Sequence, residues 1–209
     1  MISRPFLYDE ATHTYRDAYG VIPSITQLLA LSGWVDDRWY TVASRERGSA
    51  VHGLTAQVDL GAVSADEVDG ALRGYILAHV AAMQAIQADL EHVEIAAVHP
   101  TIRLAGRPDR VGRFWGQRGV LDEKSGAAHK SHKIQTALQA ILAEPTLGVP
   151  PEHQIRLTVY LKANGRYAVD QWTDTADIVE ARRIIRRYCD PDGPAVQSTQ
   201  VVAPSWMAL

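Results

Sequence analysis

Cysteine is almost missing from this chain: Cys189 is the single one among 209 residues. A lone thiol excludes an intrachain disulfide and a four-cysteine iron–sulfur cluster, and it predicts a reducing compartment, the cytoplasm. Long apolar runs are missing too. No stretch approaches the roughly 20 residues that cross a bilayer, and the first residues lack the charged-then-apolar pattern of a signal peptide, so no membrane partner is expected. There is no excess of positive charge. A formal net charge of −3 argues against holding nucleic acid by bulk charge, though not against a local basic track. Lysine is scarce, four residues against seventeen arginines. That ratio suits bidentate phosphate contacts, and it equally suits a GC-rich genome.

What is present is an ordinary globular composition, 46% apolar and 22% charged. It predicts one domain over residues 1–190 followed by a Pro/Gly-containing tail over 191–209. The most informative segment runs from Gly106 to Lys124. It reads as a β-hairpin closed on Gly116-Gln117, a Gly-X pair that fits a type II′ turn. That closure sets Trp115 against Arg118, Val111 against Asp122 and Asp109 against Lys124. Side chains alternate along a strand, so Asp109, Asp122 and Lys124 share a face. Two adjacent acids repel unless a cation lies between them. Two readings follow. One is a solvent-facing hairpin with a surface ion pair; the other is a metal site whose ammonium holds a water for attack. Val120-Leu121 lead straight into the acids and favour sheet interior over rim.

Pro108-Asp109 followed by Asp122-Glu123-Lys124 resembles the PD-(D/E)xK nuclease signature. The Gly-x-x-Asp start and Asp-x-Lys-Ser-Gly finish resemble its RecB-like and phage exonuclease branch. Arg47-Gly48-Ser49-Ala50-Val51-His52 resembles that branch's histidine helix, and Gln135 to Gln139 falls where the branch carries a Gln-x-x-x-Tyr helix. His13-Thr14-Tyr15 and Ile22 to Leu29 resemble the opening of phage members and of the mitochondrial genome maintenance exonucleases. The likeness spans about residues 6 to 140, and Gln139 departs from it by replacing the tyrosine.

The resemblance implies an α/β restriction-endonuclease-like core, a central mixed β-sheet flanked by helices. It implies a Mg²⁺- or Mn²⁺-dependent exonuclease acting on DNA ends in phage or bacterial recombination, repair or replication. A recombination or single-strand-annealing protein would be its partner. Asp109, Asp122 and Lys124 would be catalytic. His52, Asp109, Asp122 and the backbone carbonyl of Glu123 would hold the metal. Arg45, Arg47, Ser24, Thr26 and Gln135 would meet nucleic acid. A structure-dependent endonuclease and a silent DNA-binding relative are the alternatives. The Glu123 side chain points to the other face by alternation and is expected to be structural; Glu94 reads as an acid behind the metal ligands or, more simply, as a solvent-facing strand residue. Gly48 would let another element approach the imidazole. His129 to Lys133 read as a mobile loop with phosphate contacts, and Arg182, Arg183, Arg186 and Arg187 as a solvated face or a DNA track.

Local signals complete the expected order. A hairpin over 6–16 precedes a helix from Ser24 to Gly33 and a second from about Trp39 to Leu60. A capping box at Ser64 opens a long helix to about Glu91. Strands cover Glu94–Val98 and Ile102–Leu104, a helix Lys133–Ala143, and a loop Pro145–Pro151. A hairpin turns on Asn164-Gly165, and a helix spans Ala176–Tyr188.

Overall fold

The computed structural model describes residues 1–35 and 41–189. The tail expected over 191–209 and the start of the second helix near Trp39 lie outside the described residues. The expected first hairpin forms from β1 (Leu7–Asp9) and β2 (Thr14–Asp17), extended by β3 (Gly20–Ile22) into a three-stranded meander. Ser24 then caps α1 (Ile25–Leu31) in a reciprocal box with Gln27. The second helix is α2 (Val42–Asp59).

The Ser64 box also forms, but it closes only a 3₁₀ turn at Ala65–Glu67. A second such turn, Gly70–Leu72, separates it from α3 (Arg73–Ala85). Gly70 has φ +72°, outside helical space, which divides the long helix the capping signal predicted. The end of that predicted helix is instead the strand β4 (Asp89–Val93). The strands expected at Glu94–Val98 and Ile102–Leu104 reduce to the two-residue pair β5 (Ala97–Val98) and β6 (Ala105–Gly106).

The central hairpin comprises β7 (Arg110–Phe114) and β8 (Gln117–Lys124). Its turn is Trp115-Gly116, with φ +49° and +77°, which is the type I′ pattern rather than the expected II′. The unfavourable φ at Trp115 is offset by tertiary hydrogen bonds: its backbone N–H donates to Ile86 (2.7 Å) and its indole to Ala85 (3.0 Å). Moving the turn one residue upstream changes every pairing by two. Val111 therefore lies against Val120 and Arg113 against Arg118. An even change keeps side chains on their predicted faces.

The helix α4 (Ser131–Leu147) runs through Pro145 to Gly148, whose φ is +63°. The predicted stop at Pro145 fails because the turn beyond it carries Leu147 into the core, where it is fully buried. Burying that side chain contributes about 1.5–3 kcal/mol, comparable to the roughly 3 kcal/mol that a helical proline costs. The remaining elements match expectation: β9 (Ile155–Leu161), β10 (Tyr167–Gln171) and α5 (Ala176–Cys189).

The chain is thus an α/β fold built on a mixed sheet of order β10-β9-β8-β7-β4, in which only β8 and β9 run parallel. Helix α4 makes that parallel crossover. Val111 and Val120 pack with α1, α4 and α5 on one face, while Phe114, Leu121 and Leu157 pack with α2 and α3 on the other. No helix among the described residues is long and apolar enough to cross a membrane.

Candidate metal centre and its buried charge network

Three acids come together because β4 ends, β7 begins and the neighbouring β8 passes at the same level. Val93 pairs with Arg110 and Arg110 with Leu121, so Glu94, Asp109 and Asp122 are each the next residue along. Glu94 leaves the sheet at φ +49° and donates its N–H to the Asp109 carbonyl at 3.0 Å. His52, on α2, places Nδ1 3.3 Å from Asp109 Oδ2 and 3.6 Å from Glu94 Oε1. His52, Glu94 and Asp109 offer ligand atoms all within 4.8 Å of one another, and they are the metal-competent group among the described residues. Glu94 is therefore not the solvent-facing residue expected; its side chain is only 17% exposed.

Electrostatics mark this trio as a place for a cation. Burial works against the His52 imidazolium, yet Asp109 and the hydrogen bond to Glu94 lift its pKa to about 9. Burial raises the Asp109 carboxyl, and the charge of Glu94 adds to it although His52 opposes. An imidazole and two carboxylates fit a hard or borderline dication such as Mn²⁺ or Mg²⁺. A metal held there would have to displace the proton from His52.

Asp122 stands beside the trio on the α4 side of the sheet. Its Oδ1 accepts from Gln135 at 2.6 Å and from Gln139 at 3.2 Å. Its Oδ2 lies 2.6 Å from the Lys124 ammonium. Burial raises the Asp122 pKa and Lys124 opposes that rise. Gln139, at the position where the resemblance expects tyrosine, thus serves the same carboxylate as Gln135. Asp109 joins the two halves, because its Oδ2 accepts the Glu123 backbone N–H at 2.7 Å.

Glu123 faces α2 and α3, as strand alternation requires. It is fully buried in a network that the sequence did not reveal. His79 bridges Glu123 Oε1 (2.6 Å) and Asp59 Oδ1 (2.8 Å). Arg110, fully buried, donates to Asp59, to Thr55 (3.0 Å), to Glu123 (3.3 Å) and to the Asp109 carbonyl (3.0 Å). Two buried acids thus meet two cations. Burial opposes the Glu123 charge, but Arg110 and His79 take its pKa down to about 2. Two signals for this network were available. Thr55 and Asp59 follow His52 at helical spacing on α2, and His79 interrupts an otherwise apolar face of α3.

The other expected site residues are dispersed. Ser24 is buried in its capping box, while Thr26 beside it is exposed. Arg47 is exposed on α2, and Arg45 lies seven residues before His52 on the same helix. Gly48 is not required for a close approach: an added Cβ would meet nothing nearer than Ser125 Oγ at 3.9 Å. The stretch at 131–133 is helical rather than loop. His132 is buried against the Tyr160 hydroxyl (3.0 Å) and Lys133 pairs with Asp177 (3.1 Å). Burial, aided by Lys124, depresses the His132 pKa to about 4, so it stays neutral. Arg182 is paired with Glu152, and Arg183 with Glu180. No protein-family model matches the chain, and no curated protein matches it.

Proposed function

We propose that the protein is a divalent-metal-dependent deoxyribonuclease with a PD-(D/E)xK-type core, hydrolysing phosphodiester bonds from DNA ends. The observation that carries this reading is the meeting of His52, Glu94 and Asp109 next to the Asp122–Lys124 pair at one end of the sheet. The parallel β8–α4–β9 crossover supports the same core. His52, Glu94 and Asp109 would hold Mg²⁺ or Mn²⁺, with Asp122 and the Glu123 carbonyl next to them. A bound dication supplies Lewis acidity and lowers the pKa of a water nucleophile. Lys124 orients that water and offsets negative charge at phosphorus. Gln135 and Gln139 fix the Asp122 carboxylate so that Lys124 keeps its place.

Linear DNA incubated with protein and Mn²⁺ or Mg²⁺ should shorten from its ends while a covalently closed circle survives. No segment among the described residues is built to read bases, so binding rests on phosphates and weakens steeply with salt. Rapid linearisation of the closed circle would instead favour an endonuclease. No metal-dependent loss of either substrate would overturn the reading.

His52→Ala should weaken the metal rather than abolish its site, since both carboxylates remain. The expected loss is at least about tenfold in affinity, with better rescue by Mn²⁺ than by Mg²⁺. A calorimetric titration superimposable on wild type would remove His52 from the ligand set.

A further inference from the structure

We propose that Arg107 is a phosphate-binding residue held in reserve by Glu94 until a divalent cation takes its place. The inference rests on the metal-dependent nuclease reading and adds to it the order in which charges are exchanged. Arg107 lies two residues before Asp109, and its guanidinium Nε is 2.9 Å from Glu94 Oε2. On its other side, Nη1 is 3.7 Å from Glu10 Oε1 in the turn of the first hairpin. Its side chain is one-third exposed, at 33%.

Glu94 thus has two arginine neighbours of different kinds. Arg110, 3.8 Å away, is fully buried and committed to Asp59, Thr55, Glu123 and the Asp109 carbonyl. It cannot leave without stranding buried acids. Arg107 can leave, because its second partner Glu10 is 82% exposed and such a pair holds weakly.

Charge then decides the sequence of events. Without metal, Glu94 and Asp109 are balanced by His52, Arg107 and Arg110. A dication bound by His52, Glu94 and Asp109 satisfies both carboxylates directly, which makes Arg107 redundant. Its planar fork, at the open side of the site, then suits the two free oxygens of a phosphodiester. Lys124 stays on Asp122 beside the attacking water and His52 would be taken by the metal, so the non-bridging oxygens are left to Arg107. Because one residue serves both events, metal and DNA each tighten the other's binding by the same factor.

Arg107→Gln and Arg107→Lys test this in the Lys124→Met background, which keeps the trio, removes the ammonium beside it and is expected to lack turnover because Lys124 orients the attacking water. Calorimetry with Mn²⁺ alone should show Arg107→Gln binding about three- to fivefold more tightly, the scale of a part-exposed ion pair. Anisotropy of an end-labelled single-stranded oligonucleotide with Mn²⁺ should show weaker binding. Its dependence of log K on log salt should be shallower by about 0.7, one phosphate contact on a single strand. Arg107→Lys should restore that slope.

A residue that merely ties the hairpin to Glu94 would behave in the opposite way: Arg107→Gln would bind Mn²⁺ less tightly and leave the salt slope unchanged. Either outcome overturns the proposal. Failure of the unmutated-Arg107 protein to bind Mn²⁺ would overturn the metal reading itself and the exchange with it. Normal Mn²⁺ binding there, with no tightening in Arg107→Gln, overturns the exchange alone.

Discussion

Asp109→Asn and Asp122→Asn should each cut turnover by about a thousandfold or more while the protein stays folded. Either change removes charge stabilisation worth several kcal/mol in the transition state, at about 1.4 kcal/mol per tenfold. The two should differ in how they fail. Asp109→Asn removes a member of the trio and should weaken Mn²⁺, although its amide oxygen can still accept the Glu123 N–H. Asp122→Asn leaves the trio intact and releases Lys124 from its 2.6 Å ion pair. It should retain Mn²⁺ binding with turnover lost. Single-turnover rates together with metal titrations separate these outcomes. A wild-type rate in either variant would remove that carboxylate from the chemistry.

Arg110→Met should destabilise the protein by about 3–5 kcal/mol, measured by urea unfolding. The cause is the stranding of Asp59 and Glu123, not a lost contact of average strength. The pH dependence of stability follows from the same network. His79 is lifted to about 9 by Asp59 and Glu123 against the effect of burial. Its contribution is therefore complete below the unfolded value of 6.5 and is lost as pH rises through 9. Glu123, lowered to about 2, contributes fully above 4.5 and loses that contribution as pH falls through 2. Stability from this network should peak between about pH 4.5 and 6.5. His79→Gln should flatten the alkaline limb of a thermal-midpoint scan. An alkaline limb as steep as wild type's would show that His79 carries no folding-linked proton.

Much of the fold could be read before the structure because it rests on local rules. Ser24 and Gln27 announce a helix start, and the alternation from Val120 to Lys124 sorts Asp122 and Glu123 onto opposite faces. The structure departs from these local rules where tertiary contacts override local preference. Trp115 accepts a left-handed φ because α3 supplies partners for its N–H and indole, and no feature of the hairpin sequence signals that. Pro145 is tolerated because α4 is too well buried to stop there. Glu94 departs from its local signal for a related reason. Its role comes from β4 pairing with β7, a contact distant in sequence, whereas Asp109, Asp122 and Lys124 lie within one hairpin. Arg110 is the clearest case. An arginine next to an acid reads as a surface residue, and only the convergence of α2, α3 and β8 makes it an interior one.

The anchoring of the central turn has a consequence for how the protein tolerates changes in length. Trp115 is tethered to the end of α3, at the extremity of the hairpin remote from the acids. The chain between Asp109 and Asp122 therefore acts as a ruler with one fixed mark. Inserting one residue in either arm would turn one acid toward the opposite helix layer, and inserting two would slide it out of reach of its neighbour. The segment between α2 and α3, which carries only two short turns, has no such gauge. A peptide tag or a natural insertion should be accommodated there and rejected in the hairpin, even where the hairpin's own surface is exposed.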